Sequence, residues 1–186
     1  MRLILLLFLI VLSNSCFVQK FVETTDYYVE DIDSTVIKKY WEELPAEPLL
    51  LNVALLNNHN EKVDSYILSG LESYAGVEIT KLENHGLKNI KEIIHVRIEY
   101  NACCSNYFSH YYLVTMNSEI ISLPEIDYLH CDGPTPINEY IFPAQEFGLP
   151  DRIIFSHSQR NDKFITSSIE PKIVYTWTGK KIVLNQ

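Results

Sequence analysis

The chain has 186 residues, 47% of them apolar, 12% aromatic and 21% charged, which is too hydrophobic for a disordered protein and long enough for one well-buried core. Fifteen Lys and Arg stand against 24 Asp and Glu, a formal charge of −9. No basic run occurs, which argues against nucleic acid as a partner. Collagen, coiled coil and a multispan membrane protein are excluded on composition.

The chain opens with Met1-Arg2, an unbroken apolar run from Leu3 to Leu12, and then Ser13-Asn14-Ser15-Cys16. Ten helical residues span about 15 Å, half of a bilayer core, so the run is too short for a stable anchor. A charged start, a short apolar stretch and small residues describe a secretory signal over residues 1–15. The segment Leu12 to Cys16 resembles the lipobox of bacterial lipoproteins, in which the Cys becomes the lipidated N-terminus. That family usually carries Leu three residues before the Cys; here Ser13 holds the place. Ser13 and Ser15 equally fit an ordinary signal-peptidase cut that would leave Cys16 a free thiol. The position of Cys16 directly after the apolar run favours lipidation, hence membrane attachment through a lipid anchor. Surface-exported lipoproteins carry acidic residues just after the Cys; Phe17-Val18-Gln19-Lys20 has none, so the resemblance implies a periplasm-facing protein. Loss of residues 1–15 removes Arg2 and takes the charge from −9 to −10.

Residues 16–33 read as the lipidated Cys and a tether, and 34–186 as one β-rich domain. Ser34 can cap a helix with Val36, Ile37, Tyr40, Trp41 and Leu44 on one stripe, stopped by Pro45. Leu49 to Leu56 is a buried-strand run before the turn-forming Asn57-Asn58-His59-Asn60. Residues 61–75 fit either a helix or a short strand ending at Ser69-Gly70. Strand patterns follow at 77–80, 96–100, 111–115, 119–123 and 153–156. Alternation through Ile173–Thr178, a Gly179-Lys180 turn and Lys181–Leu184 predict a closing hairpin. The fold class is therefore mainly β (α+β): antiparallel sheets with one or two short N-terminal helices.

One self-similarity recurs at an offset of 26 residues: Leu56 to Lys62 followed by Ile67-Leu68, and Leu82 to Lys88 followed by Ile93-Ile94. It favours strand for 63–68. Lys88 to Ile94, Ala102-Cys103-Cys104, Tyr111-Tyr112-Leu113 and the closing Tyr175–Lys181 resemble envelope modules related to integrin-type (FG-GAP) propeller repeats. The resemblance implies propeller-blade-like units but not the family's calcium. The matching turn positions hold Asn84, Gly86 and Lys88, or Asn58, Asn60 and Lys62, where a cation loop needs several anionic oxygens.

Four cysteines are present: Cys16, Cys103, Cys104 and Cys131. In an oxidising compartment the expectation is one disulfide from Cys103 or Cys104 to Cys131. Cys103, Cys104, His110, His130 and Cys131 also form a Cys/His set of metal-binding chemistry, but the spacing of a zinc knuckle is missing, so no metal and no cofactor is assigned. No nucleophile, phosphate-loop or metalloprotease motif occurs, and no catalytic residue is assigned. The loop-rich segment Pro124–Pro150 carries Tyr128, His130, Tyr140, Phe142 and Phe147, the residues expected to contact a protein partner in the envelope. The leading expectation is a non-enzymatic binding module. An immunity or inhibitor lipoprotein against a toxin or hydrolase, and a carboxylate-dependent hydrolase of envelope polymers, are the alternatives.

Overall fold

The computed structural model describes residues 20–30, 38, 39, 42, 49–101, 104–130, 136–160 and 166–185. Among the described residues thirteen strands run in chain order: β1 (Val22–Glu23), β2 (Tyr27–Val29), β3 (Leu51–Asn57), β4 (Lys62–Leu68), β5 (Tyr74–Leu82), β6 (Ile90–Asn101), β7 (Ser105–Thr115), β8 (Ile120–Ser122), β9 (Ile126–His130), β10 (Ile137–Ile141), β11 (Arg152–Arg160), β12 (Thr166–Trp177) and β13 (Ile182–Leu184). The protein is mainly β, with every strand pairing antiparallel.

A six-stranded sheet runs β1-β5-β6-β7-β8, with β9 continuing beside β7. Two smaller sheets, β2-β3-β4 and β10-β11-β12-β13, complete the set. Side-chain alternation on the central strands explains how they stack. Ile94, Val96 and Ile98 of β6 and Tyr112 and Val114 of β7 form one core with Val53, Leu55, Tyr66 and Leu68 of the three-stranded sheet. The intervening Ile93, Tyr111 and Leu113 point the other way, into a second core with Tyr140, Phe142, Ile153 and Trp177. The six-stranded sheet is thus the middle of three layers. Burying each of these aliphatic side chains contributes roughly 1.5–3 kcal/mol, and a sheet covered on both faces collects that from successive residues. Sheets of six, four and three strands take the place of the repeated four-stranded units that propeller blades require.

Several expectations meet the structure directly. Residues 62–68 are strand β4, which settles the contested segment. The self-similar stretches are the β3–β4 and β5–β6 turns, each followed by a strand, but they differ in setting. In the first, exposed turn, Asn57 Oδ1 accepts hydrogen bonds from the backbone N–H of His59 and Glu61, both at 2.9 Å. In the second, His85 is buried and its Nδ1 accepts from the Leu87 N–H at 3.0 Å. The closing hairpin forms as expected, with Gly179 at φ +85°, and the Trp177 indole donates to the Lys88 carbonyl at 2.7 Å.

The expected tether is corrected over residues 21–29. Phe21 packs edge-on against His95, Tyr111 and Phe142, β1 pairs with β5, and β2 pairs with β3. These segments belong to the domain because two- and three-residue strands need only a sheet edge to dock on, and carry no periodicity of their own. The expected helix over 34–44 lies mostly outside the described residues; Lys38, Lys39 and Glu42 are helical, with Lys38 Nζ 3.8 Å from Glu42. Residues 1–16 also lie outside the description. Among the described residues no helix is long and apolar enough to cross a membrane.

Candidate functional site, a charged cleft between two sheets

One face of the middle sheet changes character along its strands. Toward the four-stranded sheet, β6 presents Ile93, His95, Arg97 and Glu99, and β7 presents Leu113, Tyr111, Ser109 and Tyr107. The Ile93–Leu113 end is packed core, whereas the Arg97–Tyr107 end opens into a cleft of about 240 Å³. Glu78, Thr80, His95, Arg97 and Tyr107 line its first wall, with Phe21 at the edge; Asn138, Glu139 and Arg160 come from the four-stranded sheet opposite.

Each wall carries an ion pair. Arg97 Nη2 lies 3.0 Å from Glu78 and 2.6 Å from Glu99, and its guanidinium sits 6.0 Å from the Tyr107 ring centroid. Arg160 Nη2 lies 3.1 Å from Glu139, whose other oxygen accepts from Thr166 at 3.4 Å. The pairs leave donor capacity unspent: Nε of Arg97 and Nε of Arg160 are buried without hydrogen-bond partners, and the buried Tyr107 hydroxyl, beside the Asn138 amide, makes no well-aligned bond. An unmet buried donor costs about 1–3 kcal/mol, so the arrangement is poor as pure scaffold. Asn138 is itself held by His157 Nδ1.

His95 sits at the floor, stacked 4.2 Å from the Tyr111 ring, with Nε2 3.1 Å from Ser109 Oγ. Burial, helped by the positive charge of Arg97 and more weakly by His110 and Arg160, pushes its pKa down to about 3. The imidazole is therefore neutral at ordinary pH. Burial also raises the Tyr107 and Tyr111 hydroxyls well above the usual phenol range, so both remain protonated. Among the described residues the lining carries two guanidinium and two carboxylate groups in balance, with Glu99 a further carboxylate on Arg97 at its margin.

The His95–Ser109 contact has the geometry of a base beside a nucleophile, but a pKa near 3 makes the imidazole a weak base at neutral pH. The two cleft carboxylates are each tied to an arginine, unlike the isolated desolvated acid that donates a proton in carboxylate hydrolases.

The residues expected to meet a partner are scattered. Tyr140 and Phe142 are corrected from surface to core: Tyr140 is 3% exposed, with its hydroxyl donating to the Pro124 carbonyl at 3.1 Å, and Phe142 is fully buried. Gly148 makes the chain reversal after Phe142 possible, since a Cβ there would lie 2.1 Å from the Phe142 carbonyl oxygen. Tyr128 lies against Tyr107 at 5.2 Å between ring centroids and donates its hydroxyl to the Pro136 carbonyl. His130 closes β9 opposite Ser105. Phe147 is exposed, at 38%.

Cys104 is held in a disulfide, while Cys16, Cys103 and Cys131 lie outside the described residues. His110 belongs to a different cluster, with Nδ1 3.5 Å from Glu125 and its ring 4.6 Å from Tyr66. Among the described residues no group of three or more His, Cys, Asp or Glu side chains is placed to hold a metal.

Of the cleft residues, none was expected from sequence. The available signal was the alternation Ile93-His95-Arg97-Glu99 against Ile94-Val96-Ile98: a polar face on a strand whose other face is wholly apolar. Fold and site together define a three-layer antiparallel β protein with an electrically balanced, partly unsatisfied inter-sheet cleft. No family model, curated protein or solved structure matches the chain.

Proposed function

We propose that the chain is a non-enzymatic binding module of the bacterial cell envelope, anchored through lipid at Cys16 and facing the periplasm, whose inter-sheet cleft takes a small polar molecule of zero net charge. The observation that carries the binding reading is the cleft's pairing of charge balance with unmet donors. Two arginines, two glutamates and a neutral His95 surround about 240 Å³, and the buried Nε donors of Arg97 and Arg160 lack partners. A net anion would be repelled by Glu78 and Glu139, and a net cation by Arg97 and Arg160. A compact neutral or zwitterionic molecule can take donors from both guanidinium groups while leaving both ion pairs intact.

The envelope setting rests on the signal-like residues 1–15 and on Cys16. An oxidising compartment also suits the bonded Cys104. We assign Cys131 as its partner. The support is the sequence expectation of a bridge from Cys103 or Cys104 to Cys131 together with the bonded state of Cys104.

The test is calorimetric titration with neutral amino acids and monosaccharides as probes, against glutamate and lysine as charged controls. The reading expects binding confined to neutral probes and weakened about tenfold or more in Arg160→Met. Binding that follows net charge, or that survives Arg160→Met unchanged, contradicts it.

A further inference from the structure

The middle sheet has an open edge away from this cleft. β1 pairs with β5 only at Thr80 and Lys81, so among the described residues Tyr74 to Ile79 have a partner on the β6 side alone. Facing this edge across a groove of about 620 Å³ is β2, itself the outer strand of the three-stranded sheet. Two sheet edges thus border one channel, and an open edge presents a row of unspent N–H and C=O groups.

The side chains around the channel fall into two kinds. Tyr27, Val29, Tyr74, Val77 and Ile79 supply an apolar strip, and these five also pack into the core beneath. Glu23, Glu30 and Glu78 supply carboxylates, with Glu23 and Glu30 exposed to solvent. Among the described residues no Lys or Arg lines the channel, and Lys81, further along β5, is engaged by Asp26 at 2.6 Å and Glu83 at 3.0 Å. At the far end Gly76, at φ +150°, follows a bulge in the β5–β6 register, and a Cβ there would meet nothing within 4 Å. Among the described residues the edge is therefore neither shielded by a cation nor filled by a side chain, two of the usual devices against strand addition.

We propose that this channel binds an extended peptide of alternating basic and apolar residues, added as a strand to β5 at Gly76–Ile79. Main-chain hydrogen bonds to the open edge supply affinity. The alternate side chains meet the Tyr27–Val29 strip on one side and the carboxylates of Glu23 and Glu30 on the other, Glu78 being held by Arg97. The peptide's charge is what separates this partner from others, because the fixed charges among the channel's described residues are negative. This site is independent of the cleft ligand, although Glu78 borders both spaces.

Hydrogen exchange on the full mature chain tests the inference, using acetyl-Lys-Val-Lys-Val-Lys-Val-Lys-amide as the probe. Expected is slowed exchange at Gly76–Ile79 on adding the peptide, lost when alternate residues are N-methylated or when every Lys is replaced by Glu. The double variant Glu23→Lys/Glu30→Lys, which touches only exposed side chains, should keep its melting temperature and bind the peptide about tenfold more weakly. The inference is overturned by unchanged exchange at Gly76–Ile79, by equal binding of the N-methylated peptide, or by edge amides already slow in the free protein, since the chain then covers its own edge.

Discussion

The two faces of the middle sheet are made by the same strands and do different work. On the face toward β2–β4, successive inward positions of β6 are Ile94, Val96 and Ile98, all buried. On the face toward β10–β13 the alternating positions are Ile93, His95, Arg97 and Glu99, and packing gives way to a charged cleft within three residues. Polar groups on the apolar face are few: the Tyr112 hydroxyl donates to Asp64 at 2.6 Å and is bonded to the Tyr66 hydroxyl at 2.8 Å, while Asn106 Oδ1 is buried without a partner. On the cleft face, the buried Nε donors of Arg97 and Arg160 stay unmatched. The two faces thus differ in the charge they bury: the side toward β10–β13 encloses two guanidinium groups with unspent Nε donors, the other mainly apolar side chains.

That contrast can be broken in order of expected effect. Ile94→Ala, on the packed face, should lower the unfolding free energy by about 3 kcal/mol in urea melts while leaving ligand affinity unchanged; a loss of affinity would show that the faces are coupled.

The next effect comes from pH. His95 binds a proton readily when unfolded but only near pH 3 when folded, so the unfolded state takes up more protons across that window. Stability is then complete above about pH 6.5 and falls on acidification, by about 2 kcal/mol between pH 7 and pH 5 from His95 alone. His85 and His110, also lowered chiefly by burial, act in the same direction. Thermal melts across this range should show the decline, and His95→Gln should flatten it; an unchanged slope would place the imidazole in solvent.

Smaller again is the ion pair of the four-stranded sheet. With side chains 31% and 16% exposed, Arg160 and Glu139 are only partly desolvated. Arg160→Met alone, which strands Glu139, should cost about 1–2 kcal/mol, whereas Glu139→Leu/Arg160→Met should be neutral or slightly stabilising. A double variant as damaged as the single one would make the pair structural. Phe147→Ala, at an exposed site far from these constraints, should change stability by less than about 0.5 kcal/mol.

Most strands were legible because alternation and turn residues act locally: the Asn57–Asn60 turn and the Gly179 hairpin each fall where expected. Two short strands were not, because β1 and β2 have two and three residues and sit among Thr24, Thr25, Asp26 and Glu30, which read as a polar tether. Their docking depends on Phe21 finding a ring pocket that exists only in the folded protein. The Pro124–Pro150 aromatics misled for the opposite reason. Prolines and glycines around Tyr140 and Phe142 suggest an exposed loop, yet β10 and the turn held open at Gly148 deliver both rings to the core. The cleft was hidden because Arg97 and Glu99 on alternate positions are also what a solvent-facing strand carries. Only the presence of the four-stranded sheet opposite turns that polar face into an enclosed site.

The most direct measurement is an amide NMR titration of the mature protein with the neutral probes. The account predicts that Thr80, His95, Ser109, Asn138 and Glu139 shift together and saturably, while Val53, Leu55 and Val96, at the opposite face, stay still. Shifts concentrated on that opposite face, or no saturable response at the cleft to any neutral probe, would contradict it.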